Sequence, residues 1–149
     1  MIRVKRTYER RTRGDGRRVL VERLWPRGMK KDALEADAWL KEVAPSTQLR
    51  QWFGHRPERW EEFRRRYDKE LNANPDAWTP ILDASRHGAV TLLYSAHDVE
   101  HNGAVVLRDY LAEREPGHRR SRGAPAARRR ASPTRSTAGR SRTAGSGDR

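Results

Sequence analysis

The chain has 149 residues, 36% of them charged, with 33 Lys+Arg against 20 Asp+Glu, no cysteine and a formal net charge of +13. The missing cysteines exclude disulfides, thiolate catalysis and Cys-ligated metal, and no run of 18 apolar residues offers a membrane span. The basicity is uneven: residues 1–115 carry a net +4, and residues 116–149, with ten Arg and a single acid, carry +9. That second segment holds no aromatic, Leu, Ile or Val. It has too little apolar surface to offset chain entropy, so disorder is expected there and one domain over 1–115. The N-terminus lacks the apolar run of a signal peptide, which makes the cytoplasm the expected compartment.

Hydrophobic periodicity places the elements in chain order. Ile2–Arg6 alternates apolar and cationic residues as a short strand does. Thr7–Arg18 is polar and contains the turn signal Gly14-Asp15-Gly16. A second strand is predicted over Val19–Leu24, its apolar start suited to a strand covered on both faces. Asp32 can cap a helix through about Val43, with Ala36, Leu40, Val43 and Ala44 on one stripe and Pro45 as its stop.

Ser46–Phe53 predicts a short helix ended by Gly54. Pro57 opens the next, whose stripe is Trp60, Phe63, Tyr67 and Leu71. Asn74-Pro75 starts a further helix that Gly88 should close. Ala89–Tyr94 is a third strand. Gly103–Arg114 is the last helix, capped by Asn102, with Leu107, Tyr110 and Leu111 inward.

Strands separated by helical segments predict an α/β domain with a small, mainly parallel sheet of three to four strands flanked by helices. The link between the first two strands is only about 12 residues, tight for a crossover helix. That pair could be antiparallel or joined through a single helical turn.

In such folds ligands bind beyond the carboxyl ends of the strands. Two polar clusters fall there. Arg23, Trp25 and Arg27 follow the second strand, and Ser95 to Asn102 follow the third and open the last helix. Arginine forks and a helix N-terminus suit phosphate or carboxylate, so Arg23, Trp25, Arg27, Ser95 and Asn102 are candidate ligand-binding residues. The competing reading pairs Arg23 and Arg27 with Glu22, Asp32 or Asp98 and packs Trp25 on a helix.

His97, Asp98 and His101 are candidates for proton transfer, because histidine titrates near neutrality. His97-Asp98-Val99-Glu100-His101 also fits H-x-x-E-H. That metal motif needs a continuous helix and a third ligand, and neither is predicted here, so no metal is assigned. No P-loop, dinucleotide fingerprint or nucleophile elbow is present, and no cofactor is expected. Trp52-Phe53-Gly54-His55 reads as core packing around a turn glycine.

Five blocks, VLVERLWPRG (19–28), DAWLKEVAPS (37–46), LRQWFGHRPERW (49–60), FRRRYDKEL (63–71) and TLLYSAHDVEHNGAVVL (91–107), closely resemble the YeaO-like branch of the DUF488 family. The resemblance spans residues 1 to about 114 and leaves the basic tail outside the family pattern. It implies a small bacterial or archaeal cytosolic α/β domain with no established activity. Against that pattern, Glu22 stands where Asp is usual, His97 where Lys is usual, and Gly103 replaces the second Asn of a typical pair.

Three functions are compatible with these features. The preferred one binds or acts on a small anionic ligand, phosphate- or nucleotide-like, at the strand ends; it expects Arg23→Ala to abolish binding with little loss of stability. The second is nucleic-acid binding or regulation through Arg64-Arg65-Arg66, Arg10-Arg11 and, nonspecifically, the tail, although Glu61, Glu62, Asp68 and Glu70 interleave with the helical arginines. The third is a non-catalytic interaction module, suggested by five tryptophans in a short body. Whether the chain is an enzyme, and in what oligomeric state it exists, are left open.

Overall fold

Four strands, Ile2–Arg6 (β1), Arg17–Leu20 (β2), Ala38–Trp39 (β3) and Val90–Tyr94 (β4), form one parallel sheet in the order β1-β4-β2-β3. The structure is a computed structural model and describes residues 1–115; the disorder expected of 116–149 lies outside the described residues. Five α-helices complete the domain: Lys31–Leu34 (α1), Thr47–Phe53 (α2), Trp60–Ala73 (α3), Pro75–Ser85 (α4) and Gly103–Ala112 (α5). The predicted α/β class is therefore what the chain adopts. β1 and β2 do not pair with each other. β4 lies between them and runs parallel to both, which removes the antiparallel alternative.

Strand alternation divides the core. Ile2, Val19, Val21, Val90, Leu92 and Tyr94 pack into the main cluster with Phe53, Phe63, Tyr67, Leu71, Leu107 and Leu111 from the helices. On the other face Leu20 and Leu93 meet Leu34, covered by Trp25, Met29 and Trp39. β2 is thus buried on both sides, in line with its apolar run.

Three predicted boundaries are corrected. The second strand covers Arg17–Leu20 rather than Val19–Leu24. Its pairing begins just after Gly16, whose φ of 63° turns the chain, and Arg17 N–H donates to the Ala89 carbonyl at 3.0 Å. A Cβ at Gly16 would stand 2.1 Å from that carbonyl oxygen, so the turn demands glycine.

The helix expected over 32–43 is replaced by α1, a left-handed residue at Glu35, and β3. The Asp37 and Leu40 amides donate to the Arg18 and Leu20 carbonyls at 2.7 and 2.9 Å, so the sheet edge claims the hydrogen bonds a helix would have used. Helical spacing is a weak prior against such tertiary pairing. Finally, α4 ends at Ser85, where its hydroxyl donates to the Leu82 carbonyl, before Gly88 is reached.

The short β1–β2 link crosses the sheet with a single 3-10 turn at Arg13–Asp15 and no helix. Asp15 does the fastening. Its carboxylate accepts from Lys5 of β1 at 3.0 Å, from Arg18 of β2 at 2.6 Å and from the Thr12 amide and hydroxyl at 3.1 and 2.8 Å. Its carbonyl accepts from Thr91 of β4 at 2.7 Å. Arg18, only 1% exposed, also donates to the Leu34 and Glu35 carbonyls.

Burial pushes the Asp15 carboxyl upward, but the bonds from Thr12, Lys5 and Arg18 outweigh it and hold the group well below the ordinary carboxylate range. A depressed folded pKa gives stability that is present above the unfolded value of about 3.9 and lost as pH falls below it. Asp15→Ala, which strands Arg18 in the interior, is expected to cost about 3–5 kcal/mol in urea unfolding at neutral pH. The deficit relative to the parent should shrink as pH is lowered below 4, because the parent then loses the same interaction.

Candidate functional site

The chain leaves β2 at Leu20 and β4 at Tyr94 on the same end of the sheet, and between the two exits lies a cavity of about 700 Å³. The segment after β2 forms one wall, the Ser95–Asn102 loop and the start of α5 another, and the end of α2 with Pro45 the remainder. Arg23, Trp25, Arg27, Ser95, His97, Asp98 and Asn102 all line it.

Several of these side chains hold the walls in place. Glu22, opposite Ser95, accepts from the Ser95 amide and hydroxyl at 2.9 and 2.7 Å, which ties the exit of β2 to the exit of β4. The Glu22 carbonyl accepts from the Trp39 indole. Arg23 donates through Nε to the Pro45 carbonyl at 2.9 Å and through Nη2 to the Ala44 carbonyl, with Glu42 at 3.7 Å from Nη1.

Arg23 is therefore a strut across the pocket, held by carbonyls and Glu42 rather than by Glu22, Asp32 or Asp98. Trp25 donates to the Met29 carbonyl and meets Trp39 edge to face, so it is a packed wall. Pro45 also abuts the start of α5, where a Cβ on Gly103 would stand 3.2 Å from the ring.

The 97–101 segment is a loop, since α5 starts only at Gly103. Asp98 organises it by accepting from the amides of Glu100 and His101, at 2.9 and 3.0 Å, and from His101 Nδ1 at 2.9 Å. The Glu100 amide first, then the His101 ring, keep its carboxyl below the ordinary range. Asn102 caps α5 through Oδ1 to the Val105 amide and donates to the Asp98 carbonyl.

His101 meets the Trp60 ring edge-on and is not part of the cavity wall. The structure thus brings His97 and Asp98 to the cavity and leaves His101 behind the loop. Arg6, at the end of β1, reaches Ser95 O and His97 Nδ1 at 3.5 Å.

Arg27 is the predicted residue that keeps an unengaged charge: it is exposed and makes no ion pair among the described residues. Arg50, His55, Phe53 and Phe63 also line the cavity and are not among the site residues the sequence predicts. Phe53 and Phe63 stack at 4.3 Å in the core, as the aromatic knot predicts, yet they also face the cavity. The stop at Gly54 was the available signal, because it ends α2 where Phe53 and His55 can border an opening.

The basic run on α3 is largely spoken for. Arg65 and Arg66 both pair with Glu62, Arg64 stands 3.9 Å from Asp109, and Arg66 lies over the Trp52 ring. That pattern is a solvated, self-neutralising helix face. Among the described residues, no helix is long and apolar enough to cross a membrane.

A parallel α/β sheet with a loop-built cavity at its carboxyl end is the class these features define. A family model described as the inactive DUF488-N3 subclade matches residues 1–134, and the chain belongs to that family. The chain is 42% identical over 110 residues to the uncharacterized protein YeaO of Escherichia coli, an alignment covering 74% of this chain and 96% of YeaO. Uncharacterized proteins of Mycobacterium bovis and Mycobacterium tuberculosis are each 40% identical over 110 residues, covering 74% of this chain and 92% of theirs. No solved structure matches significantly. The family match runs to residue 134, and the alignments with the relatives span 110 residues.

Arg23→Ala is expected to lower the unfolding free energy by about 2 kcal/mol, because two carbonyls lose a charged donor. Urea denaturation of the parent and variant measures it. An unchanged midpoint would return Arg23 to a purely ligand-binding role.

Proposed function

We propose that the protein binds a small anionic ligand at the strand-end cavity and performs no chemistry on it. The observation that carries this reading is how the polar groups around the cavity are divided. Its two carboxylates are engaged by neighbouring donors, Glu22 by Ser95 and Asp98 by Glu100 and His101. Arg27 and Arg50 stand exposed at the same cavity, with no ion pair among the described residues, and His55 and His97 lie beside them. The start of α5 adds its positive end to the wall. What the site offers to an incoming molecule is therefore cationic, and guanidinium forks suit phosphate or carboxylate oxygens.

Binding without catalysis fits two further facts. The family description calls the subclade inactive. The His101–Asp98 pair, the nearest approach to an acid–base dyad, spends Asp98 on loop geometry and turns His101 toward Trp60. A ligand sensor or carrier, bacterial and cytoplasmic, is the role that follows.

A thermal-shift screen of the full chain against nucleoside monophosphates, sugar phosphates and organic carboxylates tests the reading. A bound anion at about 100 times its Kd should add about 2.7 kcal/mol of stability. The double variant Arg27→Ala/Arg50→Ala should melt like the parent when unliganded, because both side chains are exposed, and should lose the shift. A shift that survives unchanged in the double variant would place the anion elsewhere, with the arginine-rich tail the first suspect.

A further inference from the structure

The cavity also restricts what the anion can be attached to. We infer that the ligand is a hydrophobic organic anion, with an aromatic or acyl body carrying one carboxylate or phosphate, and not a nucleotide. The inference rests on the anion-binding reading of the same cavity and adds the chemistry of the ligand's other end.

Burial separates the interior of the cavity from its mouth. Val21, Phe53, Phe63, Ala44, Pro45 and Ala104 line the cavity and are buried. They form an apolar interior against which the stacked pair Phe53 and Phe63 presents an aromatic surface. Asn102 is the buried polar member of the lining. Its amide is used on both sides, donating to the Asp98 carbonyl and accepting from the Val105 amide.

The cationic members, Arg27 and Arg50, are exposed and so belong to the mouth, where the exposed His55 and His97 also stand. Between these zones lies Glu22, already holding Ser95 with both carboxylate oxygens. The cavity is therefore graded from an apolar interior to a mouth where Arg27 and Arg50 stand alongside the exposed Leu24.

A molecule with one charged head and an apolar body matches that gradient in a single orientation. The body removes apolar wall from water while the head stays at the arginines. A nucleotide matches it poorly. Its base would carry ring nitrogens and an exocyclic amine or carbonyl into a region whose buried polar groups are already satisfied. Each buried polar group left without a partner weakens binding by about tenfold. The cavity volume of about 700 Å³ accommodates a bicyclic or medium-chain body with room for its head.

The test uses the full chain and four probes: 2-naphthoate, the neutral 2-naphthalenemethanol, AMP and inorganic phosphate. Thermal shift reports binding, and tryptophan fluorescence reports occupancy next to Trp25. The expected order places 2-naphthoate at least about tenfold tighter than AMP or phosphate, with the alcohol weaker than the acid and the naphthoate signal lost in Arg27→Ala/Arg50→Ala.

AMP binding as tightly as naphthoate would overturn the hydrophobic body and leave the anion site standing. The alcohol matching the acid would do the reverse, removing the anion reading and keeping the apolar cavity. Naphthoate binding unchanged in the double variant, or no binding by any probe, would overturn both.

Discussion

The carboxylate of Asp15 is the point on which the sheet is assembled. In a parallel sheet a crossover is normally a helix, which buries its own backbone groups and covers the strands it passes. Here the link from β1 to β2 is too short for one, and it passes over β4 to reach a strand that is not its neighbour. A single buried carboxylate, bonded to Lys5, Arg18 and Thr12, stands in for the helix. Such a cluster contributes little net stability over apolar packing of the same shape, but it punishes every alternative in which one partner is missing. It therefore sets where the link lies. Through Arg18 it also sets where the chain turns after α1, because that guanidinium takes the Leu34 and Glu35 carbonyls.

The opposite end of the sheet uses related chemistry for a different purpose. Two carboxylates hold serines by the same pair of bonds, to amide and to hydroxyl: Glu22 with Ser95, and Glu70 of α3 with Ser46 at 2.8 and 2.6 Å. The first joins two strand exits, and the second fixes the start of α2. The Glu22–Ser95 tie and Arg23 on the Ala44 and Pro45 carbonyls fasten the cavity wall with its own polar groups. Preorganisation of this kind leaves Arg27 and Arg50 as the charged members of the lining with no ion pair among the described residues.

Where local pattern and tertiary pairing agree, the residues themselves disclose the fold. The stripe on α3, Pro75 at the head of α4, Gly54 after α2 and the Asn102 cap all appear as their spacing requires, because each is settled within one or two turns of chain. β3 is the instructive failure. Ala36, Leu40 and Val43 have helical spacing, but the free edge of β2 offers Asp37 and Leu40 better partners than a helix could, and no local pattern records that edge. The site divides in the same way. Its location at the strand ends follows from the fold class, and Arg27 follows from its loop. The strut role of Arg23, the Glu22–Ser95 tie and the inward faces of Phe53 and Phe63 depend on distances between segments far apart in the chain. The Asp15 cluster was equally hidden, since Gly14-Asp15-Gly16 looks like an ordinary turn until Arg18 and Lys5 are brought to it.

The placement of β4 has a consequence for how the molecule comes together. Val90 is the partner of both Ile2 and Arg17, so the strand that completes the sheet lies far along the chain from both. β1 has no native neighbour until β4 has been made and docked, and high contact order of this sort slows closure. An unpaired strand waiting through synthesis is a template for mispairing with another chain. β1 carries its own protection, because Arg3 and Lys5 interrupt its apolar residues. It remains an edge strand in the finished sheet, where the exposed Arg3 guards the outer rim against a neighbour, and β3, only two residues long, leaves little to pair with at the other edge.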